Sequence, residues 1–214
     1  MRPQYSIVSQ PISEPITYAQ AADHLRVDSQ ADVNYITDLI PVAREYVDGL
    51  TGRVSAATTH KLTADSWQSL FEGPSPLGAD FNDPIYGVMP RNGNQQVIPL
   101  WRTPLVSVSS VKYYANGDTV LTTMDTADYI VVTGSEPGRI QILDGLPALD
   151  DRIDAVQITF IAGNATPNAV HRHAIKLMVA HLYETRTPIA FASAVEIPHT
   201  LKDLITNQKT GGFF

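Results

Sequence analysis

The chain has 214 residues, 43% of them apolar and 17% charged, a composition that supports one core or two small ones and excludes a disordered chain. A net charge of −7, with a pI near 5.2, argues against gripping nucleic-acid phosphates, since such binding is driven by Lys and Arg releasing counterions. Cysteine is absent, which removes disulfides and thiolate metal sites.

Residues 1–8 contain no signal-peptide core, and no stretch approaches the roughly 18 apolar residues that span a bilayer, so a soluble protein without a membrane partner is expected. Residues 1–16 mix Pro, Ser and Gln and read as an extended N-terminal arm. Thr17 is placed to cap a first helix, with Gln20 completing a capping box and Ile16 able to staple onto Ala21. That helix should end near Arg26. Ser29 and Asp32 mark a second start. Val33, Ile36, Ile40, Ala43, Val47 and Leu50 then recur in steps of three and four, the stripe of a long amphipathic helix that Gly52 should stop. Pro41 inside this stripe predicts a kink or a broken ladder.

From Val54 the period changes. Thr58–Leu62 and Trp67–Phe71 read as short strands, and residues 71–96, dense in Gly, Pro and Asn, as a long loop. Val97–Leu100 is a strand demoted towards an edge by Pro99. In Val106–Tyr114 the apolar parity switches between Val108 and Val111, which makes Ser109 and Ser110 a candidate bulge. Asn116 and Gly117 signal a hairpin returning through Val120–Thr123. Tyr129–Val132, Arg139–Leu143 and Ala155–Ile161 complete the strands, in an order the sequence does not reveal. Helical periodicity returns with Thr166 as cap and Pro167 at the first position. Val170, Ala174, Leu177, Met178, His181 and Leu182 form its stripe, and Thr187 with Pro188 ends it. A short helix over His199–Ile205 should follow. The expected fold is α+β. Residues 17–53 and 166–205 form a helical layer, 54–165 form an inserted antiparallel β-rich domain, and 206–214 form a flexible tail.

Signs of chemistry are weak. His171 and His173 are two apart and diverge on a helix, while His173 and His181 are about 12 Å apart along its axis, too far to share an ion. His181 reads as a packed histidine. Asp144, Asp150, Asp151 and Asp154 cluster at a turn without the spacing of a Ca²⁺ loop and read as a solvated acidic face. With no P-loop, nucleotide fingerprint or nucleophile elbow, no catalytic, cofactor or metal residue is expected. Arg26, Tyr183 and Arg186 read as helix-end fixtures, the arginines complementing the helix dipole and the tyrosine half-buried with its hydroxyl at the rim.

Several pieces nevertheless follow one another in a recognisable order. They are the helix ending in Leu25, Arg26 and Val27; Ala43 and Arg44 leading to Thr51, Gly52 and Arg53; and Val108 to Val111, Lys112, Tyr113 and Tyr114 with their glycine turn. The Val156–Gly163 strand and the helix end Tyr183–Arg186 come next. Over about residues 12–53 and 97–205 this resembles the head-tail connector (adaptor) proteins of tailed bacteriophages. Pro41 departs from that pattern, and residues 71–96 and the terminal Phe213 and Phe214 have no counterpart in it. The resemblance implies a structural virion protein of the neck, made in the host bacterial cytoplasm. Such a protein forms a ring with itself, typically twelve-fold, docks on the portal protein and receives the next neck or tail protein. DNA passes through the ring without sequence-specific binding. It also implies that the C-terminal segment reaches the portal, which makes Lys209, Phe213 and Phe214 candidate interface residues. A stopper or tail terminator, and a small hydrolase or ligand-binding module, are the rival readings.

Overall fold

A computed structural model of the chain describes residues 3–71, 96–143, 145–164 and 168–185. The fold is α+β, and it divides into two compact units. One takes the chain up to Pro11 and Ala57–Gly163; the other takes Ile12–Ala56 and the chain from Asn164 onward.

The first unit is built from antiparallel strands. β1 (Gln4–Ser9), β2 (Thr58–Ala64), β8 (Val156–Ala162), β4 (Leu105–Tyr114) and β5 (Leu121–Thr123) form one sheet in that spatial order. β3 (Gln96–Leu100), β7 (Gly138–Ile142) and β6 (Tyr129–Val132) form a second. Strict alternation makes β2 and β8 two-faced: Leu62 lies opposite Ile158 and His60 opposite Phe160, with these residues buried and their neighbours half-buried. Full burial of a side chain such as Phe160 or Ile158 contributes roughly 1.5–3 kcal/mol. β3 is an edge strand, as Pro99 requires.

Within the segment read as an extended arm, Gln4–Ser9 is the edge strand β1, paired to β2 through Tyr5 opposite Leu62, and Ile16 further along is buried. Two other expectations change. Trp67–Phe71 is a short helix, α3, and not a strand. Trp67 and Leu70 are its buried residues, a spacing of three that suits a helical turn. Ser66 Oγ accepts the Ser69 N–H at 3.3 Å, and the Trp67 indole N–H donates to the Pro147 carbonyl at 2.9 Å. β4 carries two irregularities, between Leu105 and Ser107 and between Val108 and Ser110. The second is the expected bulge. The first turns Val106 outward, 51% exposed, so that Leu105, Val108 and Val111 face Ala162, Phe160 and Ile158. A spacing of three along a strand is thus produced by two extra residues.

Gly117 adopts φ 82 in the turn after β4, which the Asp118 N–H closes onto the Ala115 carbonyl at 2.8 Å. Gly138 has a different role. A Cβ there would stand 2.5 Å from Leu105 Cβ, so only glycine lets β7 of the small sheet approach β4 of the large one.

The second unit is a bundle in which α1 (Tyr18–Leu25), α2 (Val33–Thr51) and α4 (Ala169–Glu184) each pack against the other two. The capping box forms as expected: Thr17 Oγ1 accepts from Gln20 N–H at 3.3 Å, and Gln20 Oε1 accepts from Thr17 N–H at 3.2 Å. Arg26 terminates α1 in the left-handed conformation, φ 57. Ser29 caps a 3-10 turn, Gln30–Asp32, that leads into α2. α2 continues through Pro41, whose missing N–H leaves one gap in the hydrogen-bond ladder, and ends where Gly52, φ 71, donates to the Asp48 carbonyl at 3.0 Å. Ile36, Ile40, Ala43 and Val47 are buried together with Ile16, Ala21, Ala174, Ile175, Met178 and Val179. Gly49 lies on the opposite, exposed face, where a Cβ would meet nothing, although an internal helical glycine costs about 1 kcal/mol against alanine.

α4 starts later than expected. Asn168 is its cap, its side-chain oxygen accepting the His171 N–H at 2.7 Å. Its buried face is His171, Ala174, Ile175, Met178 and Val179, so Val170 is exposed and Leu177 and His181 are half-buried. The buried face is displaced around the helix from the expected stripe, with His171, Ile175 and Val179 in place of Val170, Leu177 and Leu182.

Candidate functional site

That histidine belongs to a polar network inside the helical unit. Asp48, two turns after Pro41 on α2, is buried, and its carboxylate gathers three donors. The Ser55 N–H lies 3.2 Å from Oδ1 and 3.1 Å from Oδ2, the Ser55 hydroxyl donates to Oδ1, and His171 Nε2 stands 3.3 Å from Oδ1. Because a carboxylate accepts, this geometry places the imidazole proton on Nε2. The network ties the exit of α2 to the first turn of α4. It does not assemble a nucleophile, since the carboxylate sits between serine and histidine, whereas an acyl-transfer triad needs the imidazole in the middle. One turn earlier, Arg44 is 3% exposed and donates through Nε to Glu14 Oε2 at 2.8 Å, with Glu45 at 3.5 Å from its Nη2. The stripe reading of α2 counted apolar residues alone and therefore passed over Arg44 and Asp48, although each directly follows a buried position, Ala43 and Val47 respectively.

The helix-end residues act through specific partners. Tyr183 is half-buried, and its hydroxyl donates to Asp32 Oδ2 at 2.8 Å while its ring leans on Tyr35. This bond joins the end of α4 to the start of α2, where Asp32 occupies the cap position without a capping bond of its own. Arg26 closes α1 through its backbone, its N–H meeting the Ala22 and Asp23 carbonyls. Arg186, Lys209, Phe213, Phe214, the expected helix at 199–205 and the loop tip at 72–95 lie outside the described residues.

Of the histidines, His173 on α4 meets His24 on α1 edge to face, ring centroids 5.8 Å apart. Burial, and after it the neighbouring His173 and Lys176, lower the His24 pKa from its ordinary value. Among the described residues no group of three or more His, Asp or Glu could hold a metal ion.

In the β-rich unit the acidic turn is used structurally. Asp150 accepts from the Gly117 N–H at 3.4 Å, Asp65 accepts from the Asp154 N–H at 3.2 Å, and Asp154 holds Arg152 at 3.2 Å. Arg152 lies over the Tyr114 ring at 3.6 Å. Tyr5 accepts the Trp101 N–H at 3.1 Å and packs edge-on to Phe160, with the Arg102 guanidinium 5.7 Å from its ring. Burial pushes the Tyr5 hydroxyl pKa up to about 12. Burial, and then Asp125, also raise that of Tyr129. No described helix is long and apolar enough to cross a membrane.

No protein-family model and no curated protein matches the chain. Solved structures do. A chain in the neck of an empty gene transfer agent (GTA) particle, computed with C6 symmetry, superposes with a TM-score of 0.68 at 19% identity, over 97% of this chain and 95% of that one. A chain in the neck of the native particle, computed with C12 symmetry, gives 0.65 at 18% identity over 97% and 95%. A chain in the virion of the native particle gives 0.64 at 20% over 96% and 95%. The protein thus shares the fold of these chains.

Proposed function

We propose that the protein is a structural subunit of a phage-type head-tail neck, assembled as a ring around the DNA channel. The observation that carries this reading is the coverage of the superpositions, 97% of this chain and 95% of the matched chains, on neck structures computed with six- and twelve-fold symmetry. A shared domain would have matched in part; here both units are matched in one chain. The connector resemblance of the helix ends and of the β4 strand points the same way from the sequence. In the finer reading the ring is a dodecamer that docks on the portal and offers its other side to the next neck or tail protein. Lys209, Phe213 and Phe214, in the tail 206–214, anchor it to the portal. Two phenylalanines burying in a partner groove gain on the order of 2 kcal/mol each, and ordering the tail offsets part of that. A single tail therefore binds weakly, and repetition around the ring makes attachment firm. The net charge of −7 leaves the channel wall repelling a duplex in transit.

The test is reconstitution. Purified chain added to purified portal should form a ring on one face of the portal, visible in electron-microscope class averages. A chain deleted from residue 207 should fold normally and dock less well. A chain that stays separate from the portal at all concentrations sinks the reading, and full docking by the truncated chain moves the anchor away from the tail.

A further inference from the structure

A ring of identical copies needs two different, complementary surfaces on each copy, set on opposite sides so that the contact can repeat. The helical unit presents such a pair. Because α2 packs on both α1 and α4, the residues opposite its buried stripe point away from both. They are Asn34, Asp38, Val42, Glu45 and Gly49, all exposed, with Val42 at 52%. This ridge is acidic at Asp38 and Glu45, apolar at Val42, and stripped of a side chain at Gly49, where nothing within the unit fills the space a Cβ would take.

On the far side of the bundle lies the seam between α1 and α4, bridged by His24 and His173. Lys176 and Arg172, both half-buried on α4, flank it, and Leu177 and Ala180 are half-buried further along the same helix. Asp23 is next to His24 in sequence but lies about 100° round α1. Burial first, and after it the neighbouring His173 and Lys176, depress the His24 pKa.

We infer that successive copies in the ring join by seating the α2 ridge of one, Asp38, Val42 and Glu45, against the α1–α4 seam of the next, where Arg172 and Lys176 supply positive charge beside His24 and His173. The inference rests on the ring reading above and names the contact that closes it. Charge complementarity selects the partner face, Val42 supplies the apolar centre, and Gly49 allows the two helices to approach closely. The contact is heterologous, so no copy pairs its ridge with another ridge.

Charge exchange tests it, with assembly followed by light scattering alone and on portal, and folding followed by the melting temperature of the monomer. Asp38→Lys with Glu45→Lys should raise the concentration needed for assembly about tenfold, and His173→Glu with Lys176→Glu should do the same. All four changes in one chain should restore assembly, because both faces are then reversed together. Gly49→Leu should leave the monomer folded and weaken assembly without altering charge. The chain has no native cysteine, so Val42→Cys copies mixed with Ala180→Cys copies should form a mixed disulfide in preference to a Val42→Cys pair. Normal assembly by folded chains with one face reversed, failure of the fourfold change to rescue, or a dominant ridge-to-ridge disulfide overturns the contact while the ring stands. A wild-type chain that remains monomeric with and without portal overturns the ring, and this contact with it.

Discussion

In the β-rich unit most of the residues with no exposure, among them Ile98, Ile140, Ile158 and Phe160, are apolar and meet across paired strands, with Thr103 a polar exception, whereas the helical unit sets the charged Arg44 and Asp48 beside Ile40, Ala43 and Val47. The two solutions differ in what they demand. Apolar side chains attract without direction, so the sheets are specified by register, by the bulges of β4 and by the Gly138 approach. A buried carboxylate and guanidinium demand donors and acceptors at fixed positions, so the helices are specified by bonds between named atoms. A buried ion pair adds little net stability, but breaking it leaves an uncompensated group. The helical unit is therefore the less forgiving of single changes at its polar positions.

Asp48→Ala should produce the largest effect. It strands the Ser55 N–H, the Ser55 hydroxyl and His171 Nε2 together, and a loss of about 3–5 kcal/mol is expected in chemical denaturation. A loss below about 1 kcal/mol would erase the contrast between the units. Gly138→Ala comes next, since its Cβ meets Leu105 at 2.5 Å; overpacking of this kind costs about 1–3 kcal/mol. Pairing it with Leu105→Ala should recover part of the loss if the clash is the cause, and no recovery would point to the backbone instead. Gly49→Ala sharpens the comparison in the other direction. With open space at Cβ and helical backbone, it should raise the monomer melting temperature by the equivalent of about 1 kcal/mol.

The smallest effects are in pH dependence, and the units should differ in sign. The raised pKa of Tyr5 means that the folded β-rich unit holds the phenol neutral. The stabilisation is complete below the ordinary value of 10.0 and is lost as pH rises from there through about 12. The lowered pKa of His24 means that the folded helical unit resists protonation. Its contribution is present above 6.5 and is lost as pH falls below that value through the folded pKa. Tyr5→Phe should flatten the alkaline limb of a stability–pH curve, and His24→Gln a small part of the acid limb. An alkaline limb unchanged by Tyr5→Phe would show that the phenol does not set it.

Legibility in the sequence followed the same division. Strands with one buried face, such as β8, were readable from alternation alone, and the capping box of α1 was readable because its donors and acceptors lie within three residues. What escaped depended on residues distant in sequence. β1 has no apolar alternation and is a strand because β2 offers it an edge. Trp67–Phe71 is aromatic and short enough to suit either period, and the bond from Trp67 to Pro147 is tertiary. The exposed Val106 followed from a bulge that no residue type marks. In the candidate site, Asp48 and His171 lie 123 positions apart, and each taken alone resembles a solvated residue on an amphipathic helix. A carboxylate placed one step from a buried position near a helix C-terminus, where the dipole disfavours it, was the available signal.

The strand order carries a consequence for how the protein is made. β8 is the last strand among the described residues and the middle one of its sheet, lying between β2 and β4. Until residue 162 has been synthesised, β2 and β4 have no shared partner, and the apolar stripe of α2 lacks the face of α4 that follows immediately after. Neither unit can close during most of translation, and both become complete within the last quarter of the chain. Contacts of this sequence separation make for slow folding and a long exposure of unpaired edges. Copies released early or truncated before α4 would have no finished bundle, so the order of synthesis itself keeps incomplete chains out of any assembly that depends on one.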